Sequence, residues 1–189
     1  MTSWRKILRG LYWLGILLMC LLLGLSCTQK KEASKEISQE QSDQSPQNQP
    51  ADASRLSQPF PSVFLKDLSD KVVPADQLLE GKNTVILFIS PTCEPCSDEI
   101  ERWKSYLPSL QPPFQVIGIS PDRPAELLLY VKEQQINFPL YSDPAGTLVG
   151  YFSLSTYPTL VGVTPQRIVK FIQPGYHTGI TPARLLRAF

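Results

Sequence analysis

The run TVILFIS (84–90) is β-branched and apolar almost without a break, and a cysteine pair, PTCEPC (91–96), follows it at once. Such a run predicts a central strand covered on both faces. Segment 95–110, PCSDEIERWKSYLPSL, then sets Ile100, Trp103, Tyr106 and Leu107 at helical spacing, with Pro95 suited to a first turn. The chain must therefore end a strand near Ser90, turn, and start a helix near Glu94 with both cysteines at the junction. Downstream, 115–120 reads as a strand, 124–135 as a helix, 138–143 as a short strand and 147–152 as a short helix. Residues 159–163 and 167–173 read as a hairpin and 181–189 as a final helix. Strands alternating with helices and closing on a hairpin predict an α/β sandwich around a mixed sheet.

The folded part is expected to span 60–189. Ahead of it, 28–59 is rich in Gln, Ser and Glu and has only Ile37 and Leu56 as large apolar residues, too little to bury a core. As a flexible coil it would span roughly 30 Å, enough to act as a tether. Residues 1–27 carry Arg5, Lys6 and Arg9 before the apolar run LYWLGILLMCLLLGLSC (11–27), the pattern of an export signal. Its end, LGLSC, resembles a bacterial lipoprotein signal, which implies cleavage before Cys27 and lipid attachment to it. An uncleaved helix anchor and a freely secreted product are the alternatives. With 42% hydrophobic residues in 189, the chain can bury one core. Its net charge of +1 gives no extended field for nucleic acid, and none is expected as a partner.

Cys20 lies within the apolar leader, so Cys93 and Cys96 are the only cysteines of the exported domain. A four-cysteine zinc site is thereby excluded. A disulfide across two intervening residues closes too small a loop to stabilise a fold by chain entropy. At a helix start, free backbone N–H groups and the helix dipole favour a thiolate on Cys93, a thiol able to attack a disulfide, with Cys96 one turn on to resolve it. A pair of small apolar residues and a two-coordinate Cu(I) site remain as other readings. Glu94 opposes thiolate formation slightly, and His177 reads as an ordinary exposed residue.

With CEPC, Glu99 three residues further on, STYPTLVGV (155–163) and GYHTG (175–179), residues 60–189 resemble the thioredoxin-like domain of extracytoplasmic reductases of the TlpA/ResA type. The resemblance implies a thioredoxin-like fold, Cys93 as nucleophile, Cys96 as resolving thiol, and a cis peptide at Pro158 that turns the Tyr157 backbone toward the sulfurs. Most of that family has Trp before the first cysteine. Thr92 stands there instead, in an SPTC sequence like that of thioredoxin-like proteins that assist amine dehydrogenase maturation. Thr92, Tyr157 and Pro158 are thus the expected client-binding residues. Glu99 has two readings: a base that takes the Cys96 proton, or a solvated first-turn carboxylate.

The expected function is a membrane-tethered thiol–disulfide oxidoreductase that reduces exported client proteins and is recharged by a membrane thiol carrier. It would work as a monomer on the extracytoplasmic side of a bacterial cell membrane, with its own disulfide as redox group and no other cofactor or metal. Segment 116–143 also resembles peroxiredoxin-like relatives, which makes peroxide reduction an alternative. The peroxidatic pattern wants Pro seven and Ser or Thr three residues before the cysteine; Ser90 fits and Ile86 does not. The other alternative is a Cu(I)-delivery module.

Overall fold

The computed structural model describes residues 53–189. The leader 1–27 with Cys27, and residues 28–52 of the expected tether, lie outside the described residues. Strands are β1 (Phe64–Lys66), β2 (Val72–Pro74), β3 (Asn83–Phe88), β4 (Phe114–Ser120), β5 (Leu140–Ser142), β6 (Thr159–Val163) and β7 (Val169–Pro174). Helices are α1 (Ala75–Leu79), α2 (Glu94–Tyr106), α3 (Pro124–Glu133), α4 (Thr147–Tyr151) and α5 (Pro182–Leu186). The strands form one seven-stranded sheet in the order β2-β1-β5-β4-β3-β6-β7. β4 runs parallel to β3 and β5, while β6 runs antiparallel to β3 and β7, so the sheet is mixed as the sequence pattern predicts.

The continuous apolar run is explained by burial on both sides. Ile86 and Phe88 of β3 point into one core with Ile117, Ile119, Val161, Phe152 and Phe60. Val85, Leu87 and Ile89 point into the other with Ile100, Trp103, Val116, Leu127 and Leu160. Alternate residues of one strand thus feed two cores, the period-2 geometry of a covered sheet. Helices α2 and α3 supply the second core, and α1 and α4 the first. Where β6 meets β7, Gly162 lies opposite Phe171, and a Cβ on Gly162 would overlap that ring. A side chain at Gly162 would force the Phe171 ring to move.

Several boundaries differ from expectation. α2 stops at Tyr106 and gives way to a 3-10 turn at Leu107–Ser109, because Pro108 has no N–H to continue an α-helical ladder. α5 covers only Pro182–Leu186 of the expected 181–189, with Thr181 Oγ1 accepting from Arg184 N at its start. β1, β2 and α1 are additional elements; strands of three residues carry too little alternation to be read. Ordered structure also begins before Phe60. Ser57 N donates to Val169 O at 2.8 Å, Val169 N to Gln58 O at 3.0 Å, and Arg55 Nε to Tyr151 O at 3.0 Å. Residues 53–59 are thereby pinned to β7 and α4. Among the described residues no helix is long and apolar enough to cross a membrane.

Candidate active site

β3 delivers the chain to the C-terminal edge of the sheet. Ile89 N still bonds Ile119 O at 3.0 Å; beyond it the chain turns, with Cys93 N donating to Ser90 O at 3.0 Å and Cys96 N to Cys93 O at 3.2 Å. Cys93 is the N-cap residue of the 13-residue α2, and Pro95 sits in its first turn. The two sulfurs are joined, S–S 2.08 Å, with Cα atoms 5.4 Å apart. Cys93 is half-buried whereas Cys96 has no exposed surface. Of the pair, only Cys93 meets solvent, and it does so at a helix start, where the dipole favours negative charge.

The Tyr157–Pro158 peptide is cis. Its turn is held by Thr159 Oγ1 donating to Thr156 O at 2.7 Å and by Gly175 N donating to Pro158 O at 2.7 Å. Tyr157 and Cys93 both pack against the core that contains Cys96 and Leu160. Burial first, and then the charges of Asp122 and Asp143, raise the Tyr157 phenol above its ordinary pKa. Thr92 is exposed at the rim.

Glu99 is not a solvated helix-face carboxylate: it is 1% exposed, inside the core beneath α2. Its Oε1 accepts from Trp103 Nε1 at 2.8 Å and its Oε2 from Arg102 Nη1 at 3.1 Å. Burial raises its pKa above the ordinary 4.5, against the opposing pull of Arg102, the Trp103 hydrogen bond and the charge of His177. Arg102 is itself fixed, donating to Ile180 O at 2.9 Å and lying 4.2 Å from the Tyr176 ring centroid. His177 is exposed, as expected, with Nε2 3.0 Å from Pro174 O. Its charge nonetheless reaches Glu99.

A carboxyl held this way leaves a thermodynamic trace. The folded chain binds the Glu99 proton more tightly than the unfolded chain, so the stabilisation is complete below the ordinary 4.5 and is lost as pH rises through the higher folded value. Glu99→Gln should therefore lose less stability than wild type as pH rises from the acidic range to neutrality. Urea unfolding of both proteins across that range reads the difference; parallel profiles would mean that Glu99 ionises as freely folded as unfolded.

Sequence reasoning missed Arg102 as the partner of Glu99, since alternating charges on a helix look like a solvated face. It also missed Asp122, which bonds the hydroxyls of Ser90 and Ser120. SPD after a strand reads as an ordinary turn, and no local signal ties it to the cysteine loop. Neither cysteine lines the clefts bounded by Asp76 and Arg167, by Lys66 and Arg123, or by Glu99 and His177. Cys93, not a cleft-lining residue, is the member of the pair that meets solvent.

Residues 56–172 match the AhpC/TSA family. The chain belongs to that family. Together with the joined Cys93–Cys96 pair, membership makes this AhpC/TSA protein an oxidoreductase. Similar solved structures include a putative thiol:disulfide interchange protein DsbE from Chlorobium tepidum, 18% identical over 69% of this chain and 94% of that one, TM-score 0.60. The exposed lipoprotein thioredoxin of Streptococcus pneumoniae is 16% identical over 68% of this chain and 100% of its own, TM-score 0.59. Peroxidoxin BcpB from Mycobacterium tuberculosis is 16% identical over 71% and 93%, TM-score 0.58. At these identities the shared property is the thioredoxin-like fold. No protein of curated function matches the sequence.

Proposed function

We propose that this AhpC/TSA protein is a membrane-tethered, extracytoplasmic thiol–disulfide oxidoreductase of the TlpA/ResA type that reduces disulfides in exported client proteins. The reading rests on one observation above all: Cys93, at the start of α2, meets solvent while Cys96, bonded to it, is buried. In the reduced protein the Cys93 thiolate attacks a client disulfide, forming a mixed disulfide and releasing one client thiolate. Cys96 then loses its proton and attacks the Cys93 sulfur, which releases the second client thiolate and closes the Cys93–Cys96 bond. Two electrons pass to the client, and the two client thiolates take up protons. A dithiol, supplied by a membrane thiol carrier, returns the pair to the reduced state.

Glu99 is the proposed acceptor of the Cys96 proton, since burial keeps its proton affinity high. The backbone at Tyr157 and Pro158 is the proposed docking edge, which a client segment would join in extended form. Thr92, small where an aromatic ring is usual in that type, leaves the rim beside Cys93 open. Attachment through Cys27, with 28–52 as tether, completes the proposal; Cys27→Ser should release the domain from membranes or leave an unprocessed precursor. Unchanged attachment would favour an uncleaved helix anchor.

Peroxide reduction is the second reading, favoured by the family and by the fold shared with peroxidoxin BcpB. Against it, Ile86 occupies the position where the peroxidatic pattern has proline. Reduced protein offered insulin, hydrogen peroxide and Cu(I) in parallel separates the readings. The expected result is accelerated insulin reduction with little peroxide consumed. Rapid peroxide turnover with insulin untouched would install the second reading, and tight Cu(I) binding without exchange a delivery module.

A further inference from the structure

Behind the cysteine loop lies a set of hydroxyls with one carboxylate at its centre. Ser90 Oγ donates to Asp122 Oδ2 at 3.0 Å, and Ser120 Oγ donates to the same oxygen at 2.7 Å. Asp122 N donates back to Ser120 Oγ at 3.3 Å, and Ser142 Oγ donates to Asp122 O at 2.6 Å. Ser90, Ser120 and Ser142 are all buried, so Asp122 is held by the last residues of β4 and β5 and by the turn that follows β3. The bond to Ser90 ties the Asp122 carboxylate to the cysteine loop.

The direction of these bonds can be deduced. A carboxylate has no proton to give, so both hydroxyls must donate to it. Ser90 has a single proton and has committed it to Asp122. Toward Thr92 Oγ1, 3.2 Å away, Ser90 can only accept, and Thr92 must be the donor. Thr92 N–H lies 3.5 Å from Ser90 Oγ and points the same way. Thr92 is exposed and directly precedes Cys93. With its proton turned inward, its hydroxyl has lone pairs alone to offer a partner.

We propose that Asp122 is a positioning residue which, through Ser90, fixes Thr92 as a hydrogen-bond acceptor beside Cys93, so that the site selects client segments bearing an N–H donor next to the reacting disulfide. The inference rests on the thiol–disulfide reading and adds a substrate preference to it. Segments that bring a carboxylate or a bare carbonyl to this point meet another acceptor and are disfavoured.

The test uses matched cystine peptides that differ only in an N–H or an N-methyl amide at a residue flanking the reacting cysteine, scanned on each side. N-methylation removes the donor without altering charge. Wild type should reduce the N–H peptide with a kcat/KM about fivefold higher at the responsive position, the size of one ordinary hydrogen bond, and chiefly through KM. Thr92→Val should abolish the preference and Thr92→Ser should keep it. Ser90→Ala and Asp122→Ala should both weaken it, because each frees the Thr92 proton to turn outward. Ser90→Ala leaves the charge of the site intact and keeps the test valid if Asp122→Ala does not fold. Equal reduction of both peptides by wild type, or an undiminished preference in Thr92→Val or Ser90→Ala, would overturn the inference and leave the thiol–disulfide reading standing. Reduction of neither peptide would overturn both.

Discussion

Cys96→Ser should accumulate covalent adducts with client proteins through Cys93, and Cys93→Ser should form none while its disulfide reductase activity falls to background. The asymmetry follows from position. Cys93 meets solvent at the start of α2, whereas Cys96 lies wholly inside the core with Ile100 and Trp103. A client sulfur can reach the first and not the second. Once Cys96 is a serine, nothing resolves the mixed disulfide, and it persists until an external thiol cleaves it. Non-reducing electrophoresis with peptide mapping reads the outcome. Adducts on Cys96 in the Cys93→Ser protein would reverse the assignment of nucleophile and resolving thiol.

The second large effect concerns the residue that carries both the core and Glu99. Trp103 is fully buried, stacks edge-on with Tyr106 at 6.2 Å, and donates its indole N–H to Glu99. Trp103→Ala should cost about 3–5 kcal/mol, because the void beneath α2 is too large for the sheet to close over. Trp103→Phe keeps most of the volume but withdraws the donor from a buried carboxylate, and should cost about 1–3 kcal/mol. It should also push the Glu99 pKa higher still, steepening the loss of stability as pH rises. Urea midpoints at acidic and neutral pH measure both effects. A Trp103→Phe protein as stable as wild type at each pH would mean that the indole N–H contributes nothing to holding Glu99.

What could be read from the chain alone follows from how far each interaction reaches along it. β3 and α2 were legible because their signals are local: an apolar run buried on both faces, then apolar residues at helical spacing beneath a proline-bearing first turn. The cysteine junction followed from the same stretch. β1 and β2 were not legible, since three residues carry no usable period and their place at the sheet edge is fixed by pairing with each other and with β5. Glu99 showed the limit most sharply. As a charged side chain among Ser97, Asp98 and Glu101 it reads as solvated, yet it lies in the core because Arg102 and Trp103, one turn on, supply the donors that make burial tolerable. Asp122 and Ser90 are 32 residues apart, and only the parallel pairing of β3 with β4 brings them together.

The central claim is that Cys93 and Cys96 form a couple that gives electrons to client disulfides. Equilibration of the protein in graded dithiol–disulfide buffers, followed by labelling of free thiols, measures it most directly. The account predicts that both cysteines titrate together as one two-electron couple, with a potential more negative than about −200 mV, on the reducing side of a disulfide-forming compartment. A potential near about −120 mV, that of a strong oxidant, would contradict it by reversing the direction of electron flow, as would two thiols that never form a common couple.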